Sequence, residues 1–195
     1  MPKIHRRYLQ IITIVHGKSE LIFCQHIKSN LSIKNEIIGK DKGKSSIQIN
    51  GLMNFLNSDS RFKTFSGFYK TFPDINVNKK IIKDLKVFII MDTDDCNEKT
   101  KNSFINKSMF KGYFLYDYIV PIYNTPNLEN SMRDIGIIVE RKKDYIKIFP
   151  INGDKKTNIQ KLKDMSENLK KNKRTNNLYE YIDYCFEIAK TEANR

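Results

Sequence analysis

Two polar clusters interrupt the two most apolar runs of this sequence. His16-Gly17-Lys18-Ser19-Glu20 follows the β-branched run that ends at Val15, and Asp92-Thr93-Asp94-Asp95 follows the run that ends at Met91. Three carboxylates within four positions repel one another unless a cation neutralises them, and clustered hard oxygens suit Mg2+ or Mn2+. Asp92 and Asp94 lie two apart, so in an extended segment both side chains point the same way, and both are candidate metal ligands. A divalent cation beside a phosphodiester polarises the phosphate and activates an attacking water, which makes phosphodiester hydrolysis the chemistry to expect. The structural alternative is helix capping by Asp94, Asp95 or Asn97. Glu20 likewise has an ordinary role available, as a first-turn glutamate suited to the helix dipole.

A strongly basic chain fits an anionic substrate. Lys and Arg number 35 against 22 Asp and Glu, a net charge of +13 over 195 residues. Nucleic acid is the commonest partner of such a balance, although a Lys-, Asn- and Ile-rich composition also arises from an AT-rich coding sequence. Candidate nucleic-acid contacts are Lys18 and the loop lysines Lys40, Lys42 and Lys44. The apolar run at 9–15 is short and leads into glycine, which predicts no signal peptide, and no run approaches the ~18 apolar residues of a membrane span. Cys24, Cys96 and Cys185 are scattered, which points to a reducing, cytoplasmic setting. With His5, His16 and His26 as the only histidines, a His/Cys zinc site is not expected.

Hydrophobic spacing predicts strands over 8–15, 31–38, 84–91 and 118–123, the last at an edge or a bulge because of Pro121, and a further edge strand over 145–149. Helices are predicted over 19–30, 47–56, 98–110, 159–169 and 178–189. Residues 39–46 read as a loop, 76–80 as a linker and 170–177 as a basic turn. The aromatics at 62–72 read as core rather than as a base-stacking surface. Alternating strands and helices argue for an α/β domain with a mainly parallel sheet over 1–150, carrying an insertion at about 39–83, and a helical C-terminal extension over 151–195 packed on it. Parallel sheets hold functional groups beyond the carboxyl ends of their strands, so both polar clusters are expected at one edge.

These residues resemble a family. The segment Ile14-Val15-His16-Gly17-Lys18-Ser19-Glu20 is similar to the first motif of the OLD-type TOPRIM domain, with His16 where the family has glutamate, Gly17 at the glycine and Glu20 at the second acid. The segment ending in Asp92-Thr93-Asp94 resembles the second motif, a buried strand closing in Asp-x-Asp. Residues 121–132 are similar to the late acid-bearing segment of RloB-like and other small defence-associated TOPRIM proteins, which makes Glu129 a further candidate ligand. The resemblance spans about 8–132. It implies a TOPRIM-like fold and a Mg2+- or Mn2+-dependent nuclease in which Glu20, Asp92 and Asp94 hold the metal, Glu129 assists, and His16 acts as ligand or proton shuttle. Histidine favours softer ions than Mg2+, so Mn2+ gains weight. The resemblance also implies a role in bacterial defence against phage beside an ATPase partner protein.

Two other readings compete. A TOPRIM fold that has lost catalysis through the change at His16 would serve as a nucleic-acid- or protein-binding module. "GKDKGKSS" at 39–46 approaches a phosphate loop, with Asp92 as the acid of an NTPase, but its first glycine is one position too close. A phosphoglycerate mutase-like site is excluded, because Val15 precedes His16 and no histidine lies beyond His26.

Overall fold

Five β-branched residues, Ile-Ile-Thr-Ile-Val, form β1 (Ile11–Val15), and all five are buried. A strand buried on both faces belongs at the centre of a parallel sheet. The computed structural model describes residues 7–79, 81–141, 144–148 and 154–193. After β1 come α1 (Lys18–Leu31), β2 (Asn35–Ile38), α2 (Leu52–Ser58) and α3 (Phe65–Thr71). A short hairpin, β3 (Asn76–Asn78) and β4 (Ile81–Lys83), leads into β5 (Lys86–Asp92), α4 (Glu98–Ile105) and β6 (Ile119–Asn124). The chain closes with α5 (Leu128–Arg133), α6 (Tyr145–Ile148), α7 (Lys155–Lys171) and α8 (Leu178–Ala193).

The sheet is four-stranded, entirely parallel, and ordered β2-β1-β5-β6. Successive residues along β1 and β5 face opposite sides, so two cores form. Ile11, Val15, Phe88 and Ile90 pack beneath α1, α7 and α8, whereas Ile12, Ile14, Val87 and Ile89 pack against Leu52, Phe62, Phe68 and Phe104. The α1 crossover therefore covers one face and leads outward from β1 to β2. The α4 crossover covers the other face and leads outward from β5 to β6. Strand order thus reverses between β1 and β5, and the two exits diverge to leave a crevice at their carboxyl ends. Pro121 does sit on an edge strand, where a missing N–H costs least.

Several predicted elements differ. Residues 145–148 form a helical turn, not a strand, because the outer edge of β6 is already taken by an antiparallel bridge between Asn124 and Asn176. Their alternating pattern instead reflects one anchor, Tyr145, buried 6.1 Å from the Phe23 ring; Phe149 lies outside the described residues. The segment read as a linker pairs as β3 with β4, Val77 opposite Ile82, with Ile82 buried; Lys80 lies outside the described residues. The strand expected from 31 starts only at Asn35, since α1 runs to Leu31 and ends at a left-handed Ser32. Helix 47–56 shortens to α2 after a 3-10 turn, and helix 98–110 stops at Ile105 before the left-handed Lys107.

In the aromatic segment Phe62, Phe68 and Phe72 are core and Tyr69 is exposed. The C-terminal helices close one face of the sheet: Leu162, Met165, Leu169, Leu178 and Ile182 share a core with Phe23 and Ile27 of α1. No helix among the described residues is long and apolar enough to cross a membrane.

One buried polar chain ties α8 to the sheet. Thr13 Oγ1 donates to Asn35 Oδ1 at 3.0 Å, and Asn35 Nδ2 donates to the Tyr181 hydroxyl at 2.9 Å. Tyr181→Phe strands that amide donor without changing the core's shape. The expected loss is about 1–3 kcal/mol, read as a lower urea midpoint with an unchanged slope.

Candidate functional site

Backbone pairing carries the first cluster into the crevice. The His16 N–H donates to Ile90 O at 2.9 Å, extending β1 along β5, and His16 O accepts from Ile47 N–H at 2.8 Å. Gly17 precedes α1 with extended backbone, φ −156°, and an added Cβ there would meet only ordinary contacts at 3.5 Å. The turn therefore does not itself demand glycine. Glu20 is buried, and its Oε2 accepts from the Gly17 N–H at 2.9 Å, which is the capping role open to a first-turn glutamate. Its Oε1 is buried with no partner.

Asp92, the last residue of β5, is buried, and its Oδ1 accepts from the Leu128 N–H at 3.0 Å. Burial pushes its carboxyl up to about 9, with the charges of Glu20, Glu129 and Asp94 adding to the rise. Burial also raises Glu20, opposed by His16 and reinforced by Glu129. Glu129 sits in the first turn of α5 and accepts from Ser19 Oγ at 2.6 Å. The acids that the sequence singled out thus meet around one crevice, 72 and 109 positions after Glu20 in the cases of Asp92 and Glu129.

Asp94 departs from the expected geometry. It lies in a turn rather than an extended segment and is exposed at the rim, 3.4 Å from Asn127 Nδ2. The next helix is capped by Asn97, which accepts from Thr100 N–H at 2.9 Å, so no aspartate is needed there. Asp95, read from the sequence as part of the acidic cluster or as a helix cap, does not cap the helix. Both its carboxylate oxygens are buried without partners, and burial raises its pKa against the opposing influence of His16. The imidazole of His16 lies within electrostatic reach of both Glu20 and Asp95, with its Nδ1 buried and unpartnered.

Two more residues reach the crevice without any sequence signal. Asn124, paired in register with Asp92, has both amide atoms buried and unpartnered. The Tyr145 hydroxyl is buried without a well-formed hydrogen bond; burial together with Glu129, Glu20 and Asp92 raises its pKa, and the nearby Ser19 hydroxyl opposes the rise. Among the described residues, seven buried side-chain polar atoms lack a hydrogen-bond partner, and all seven belong to His16, Glu20, Asp95, Asn124 and Tyr145. Buried polar groups are almost always satisfied, so a set of orphans confined to one crevice makes it the candidate binding site of the described residues. As they stand, no three His, Cys, Asp or Glu side chains among the described residues form a group able to hold a metal ion.

The lysines flank this crevice. Lys18 is exposed on the first turn of α1, and Lys40, Lys42 and Lys44 are exposed on the loop after β2. Asp41, Lys42 and Gly43 are all left-handed there, and a Cβ on Gly43 would lie 2.8 Å from Leu21 Cδ2. Gly43 is required in that loop, which rests on the first turn of α1. The phosphate-loop reading fails on geometry: residues 44–48 are not helical, so no helix N-terminus faces the loop. No family model, curated protein or solved structure matches the chain.

The buried acids shape the pH response of the protein's stability. Asp92 binds its proton more tightly folded than unfolded, so its contribution is full below about pH 4 and is lost as pH rises toward about 9. Asp92→Asn is expected to flatten the alkaline fall and to raise stability at pH 8 by a few kcal/mol, measured by denaturant midpoints across pH 4–9.

Proposed function

We propose that this chain is a metal-dependent nuclease of TOPRIM type, hydrolysing phosphodiesters of RNA or DNA. The observation that carries the reading is the confinement of every orphaned buried side-chain atom of the described residues to the crevice where strand order reverses. The unpartnered oxygens of Glu20 and Asp95, with the Asp92 carboxyl beside them, are hard oxygen donors of the kind that Mg2+ and Mn2+ accept. Asp92 and Glu20 would hold the ion, with Asp94 and Glu129 completing the set, as the resemblance implies. When bound, the ion supplies charge that polarises the phosphate and lowers the pKa of a water.

The protein's own groups do the remainder. Asp92 is oriented by the Leu128 N–H and Glu20 by the Gly17 N–H, so one oxygen of each is anchored. Ser19 holds Glu129, linking α1 to α5 across the crevice. His16 Nδ1 has no competing partner, so it is free to serve as ligand or proton shuttle, as the resemblance implies. Because Asp92 and Glu20 must ionise to bind a cation, affinity rises with pH.

A second reading, a catalytically silent binding module, draws on the lack of three converged ligands among the described residues. The phage-defence setting and an ATPase partner enter only through the resemblance to RloB-like proteins.

Incubating the protein with RNA, tRNA and DNA under Mg2+ or Mn2+ separates the two. The nuclease reading expects cleavage that drops at least 100-fold in Asp92→Ala, and a Mn2+-induced rise in thermal midpoint that the variant lacks. Salt-sensitive binding with no cleavage under any metal supports the module instead. His16→Glu is expected to shift the metal preference from Mn2+ toward Mg2+, read as the ratio of cleavage rates in the two ions.

A further inference from the structure

The turn between α7 and α8 carries Lys170, Lys171, Lys173 and Arg174 within five positions. Lys170 is engaged by Glu167 and Asp183, each at 2.9 Å. Lys171, Lys173 and Arg174 are exposed, and the Lys173 ammonium lies 5.9 Å from the centre of the Tyr179 ring.

Pairing with β6 fixes where this turn sits. Residues 175–177 run antiparallel to the end of β6: Asn177 N–H donates to Tyr123 O at 3.3 Å, Asn176 bridges Asn124, and Thr125 N–H donates to Thr175 O at 2.7 Å. Asn177 secures the join through both amide atoms, accepting from Tyr123 N–H at 2.8 Å and donating to Pro121 O at 3.0 Å. Backward from Asn177 to Thr175, the chain moves toward the carboxyl edge of the sheet. The basic residues before Thr175 therefore project past that edge, beside the end of β6, where the Tyr123 hydroxyl donates to Lys173 O at 3.3 Å.

Positive charge thus lies on both sides of the acids. Adjacent strands lie about 4.8 Å apart, so the loop after β2 and the segment beside β6 are separated by four spacings, roughly 19 Å, with Asp92 on β5 two spacings from each. We propose that the α7–α8 turn is a phosphate-backbone grip, and that a nucleic-acid strand crosses the carboxyl edge from the loop at 39–46 to this turn, passing over Asp92. Lys171, Lys173 and Arg174 hold phosphates on one side of the acids, and Lys40, Lys42 and Lys44 hold them on the other. At about 3.4 Å per nucleotide along a stacked strand, the span is about five to six nucleotides. The passage over Asp92 rests on the nuclease reading, whereas the grip itself rests on charge and placement.

The test compares two triple variants of equal charge. Lys171→Ala/Lys173→Ala/Arg174→Ala removes the turn's cations. Lys156→Ala/Lys161→Ala/Lys163→Ala removes three exposed cations at least eight residues back along α7, about 12 Å from the turn. Binding of a 12-nucleotide single strand is titrated against salt. The turn variant is expected to flatten the slope of log K against log salt by about two and to weaken binding roughly 10- to 100-fold at 100 mM salt. The control is expected to change the slope by less than one, and both should keep the wild-type thermal response to Mn2+. Equal effects of the two variants, an unchanged slope in the turn variant, or no salt-sensitive binding by the wild type would each overturn the proposal. So would a turn variant that loses binding to phosphatidylserine vesicles while its oligonucleotide binding is intact. Cleavage keeps the two claims apart: if no metal supports cleavage yet the turn variant loses affinity as stated, the grip stands and the nuclease reading falls. Cleavage by a turn variant of unaltered affinity means the reverse.

Discussion

Parallel pairing of β1 with β5 is the constraint on which the rest of the molecule depends. Five residues of each strand run in register, from Ile11 opposite Lys86 to Val15 opposite Ile90, and the His16 N–H carries the ladder one step further. Because α1 leaves to one face and α4 to the other, the backbone opens beyond that ladder. Groups at the two strand ends are held near one another but kept from closing on each other. Had β1 and β5 been separated by another strand, Glu20 and Asp92 would be two unrelated acids at helix and strand ends.

This arrangement is costly to the fold. Carboxyl groups at Glu20 and Asp92 are removed from water with one backbone donor apiece, and burial, with the charges of neighbouring acids adding to it, raises the pKa of both. Ordinary cores avoid such groups, and elsewhere this protein does so too: the buried Asn35 amide bonds to Tyr181 and is approached by Thr13. The contrast between a satisfied polar chain under α8 and an unsatisfied one at the crevice locates where stability has been given up. Proteins tolerate that where activity requires it.

The C-terminal helices serve the crevice as well as the core. Leu162, Leu169 and Leu178 close the face that α1 leaves open, and the strand-like stretch at 175–177 blocks the exposed edge of β6. A blocked edge cannot pair with another chain. It also fixes the basic α7–α8 turn beside the acids, so a chain of net charge +13 sets its cluster of buried acids between basic flanks.

Much of this was legible in the residues themselves. The β-branched runs ending at Val15 and Met91 read as buried strands because only a sheet covered on both faces accommodates such runs, and the polar clusters after them read as a site for the same reason. Pro121 marked an edge, and the helical spacing at 159–169 and 178–189 marked the two closing helices, because period and missing donors are local properties. The register between strands is not local. It took the fold to bring Glu129 to Ser19, to turn Asp94 outward while tucking the Asp95 carboxylate oxygens out of solvent, and to send Tyr145, on a segment that reads as a strand, down into the crevice as part of a helical turn. Residue type and spacing determined which atoms were available for chemistry. Burial and proximity, which depend on contacts between residues far apart in the chain, decided which of them were left without partners.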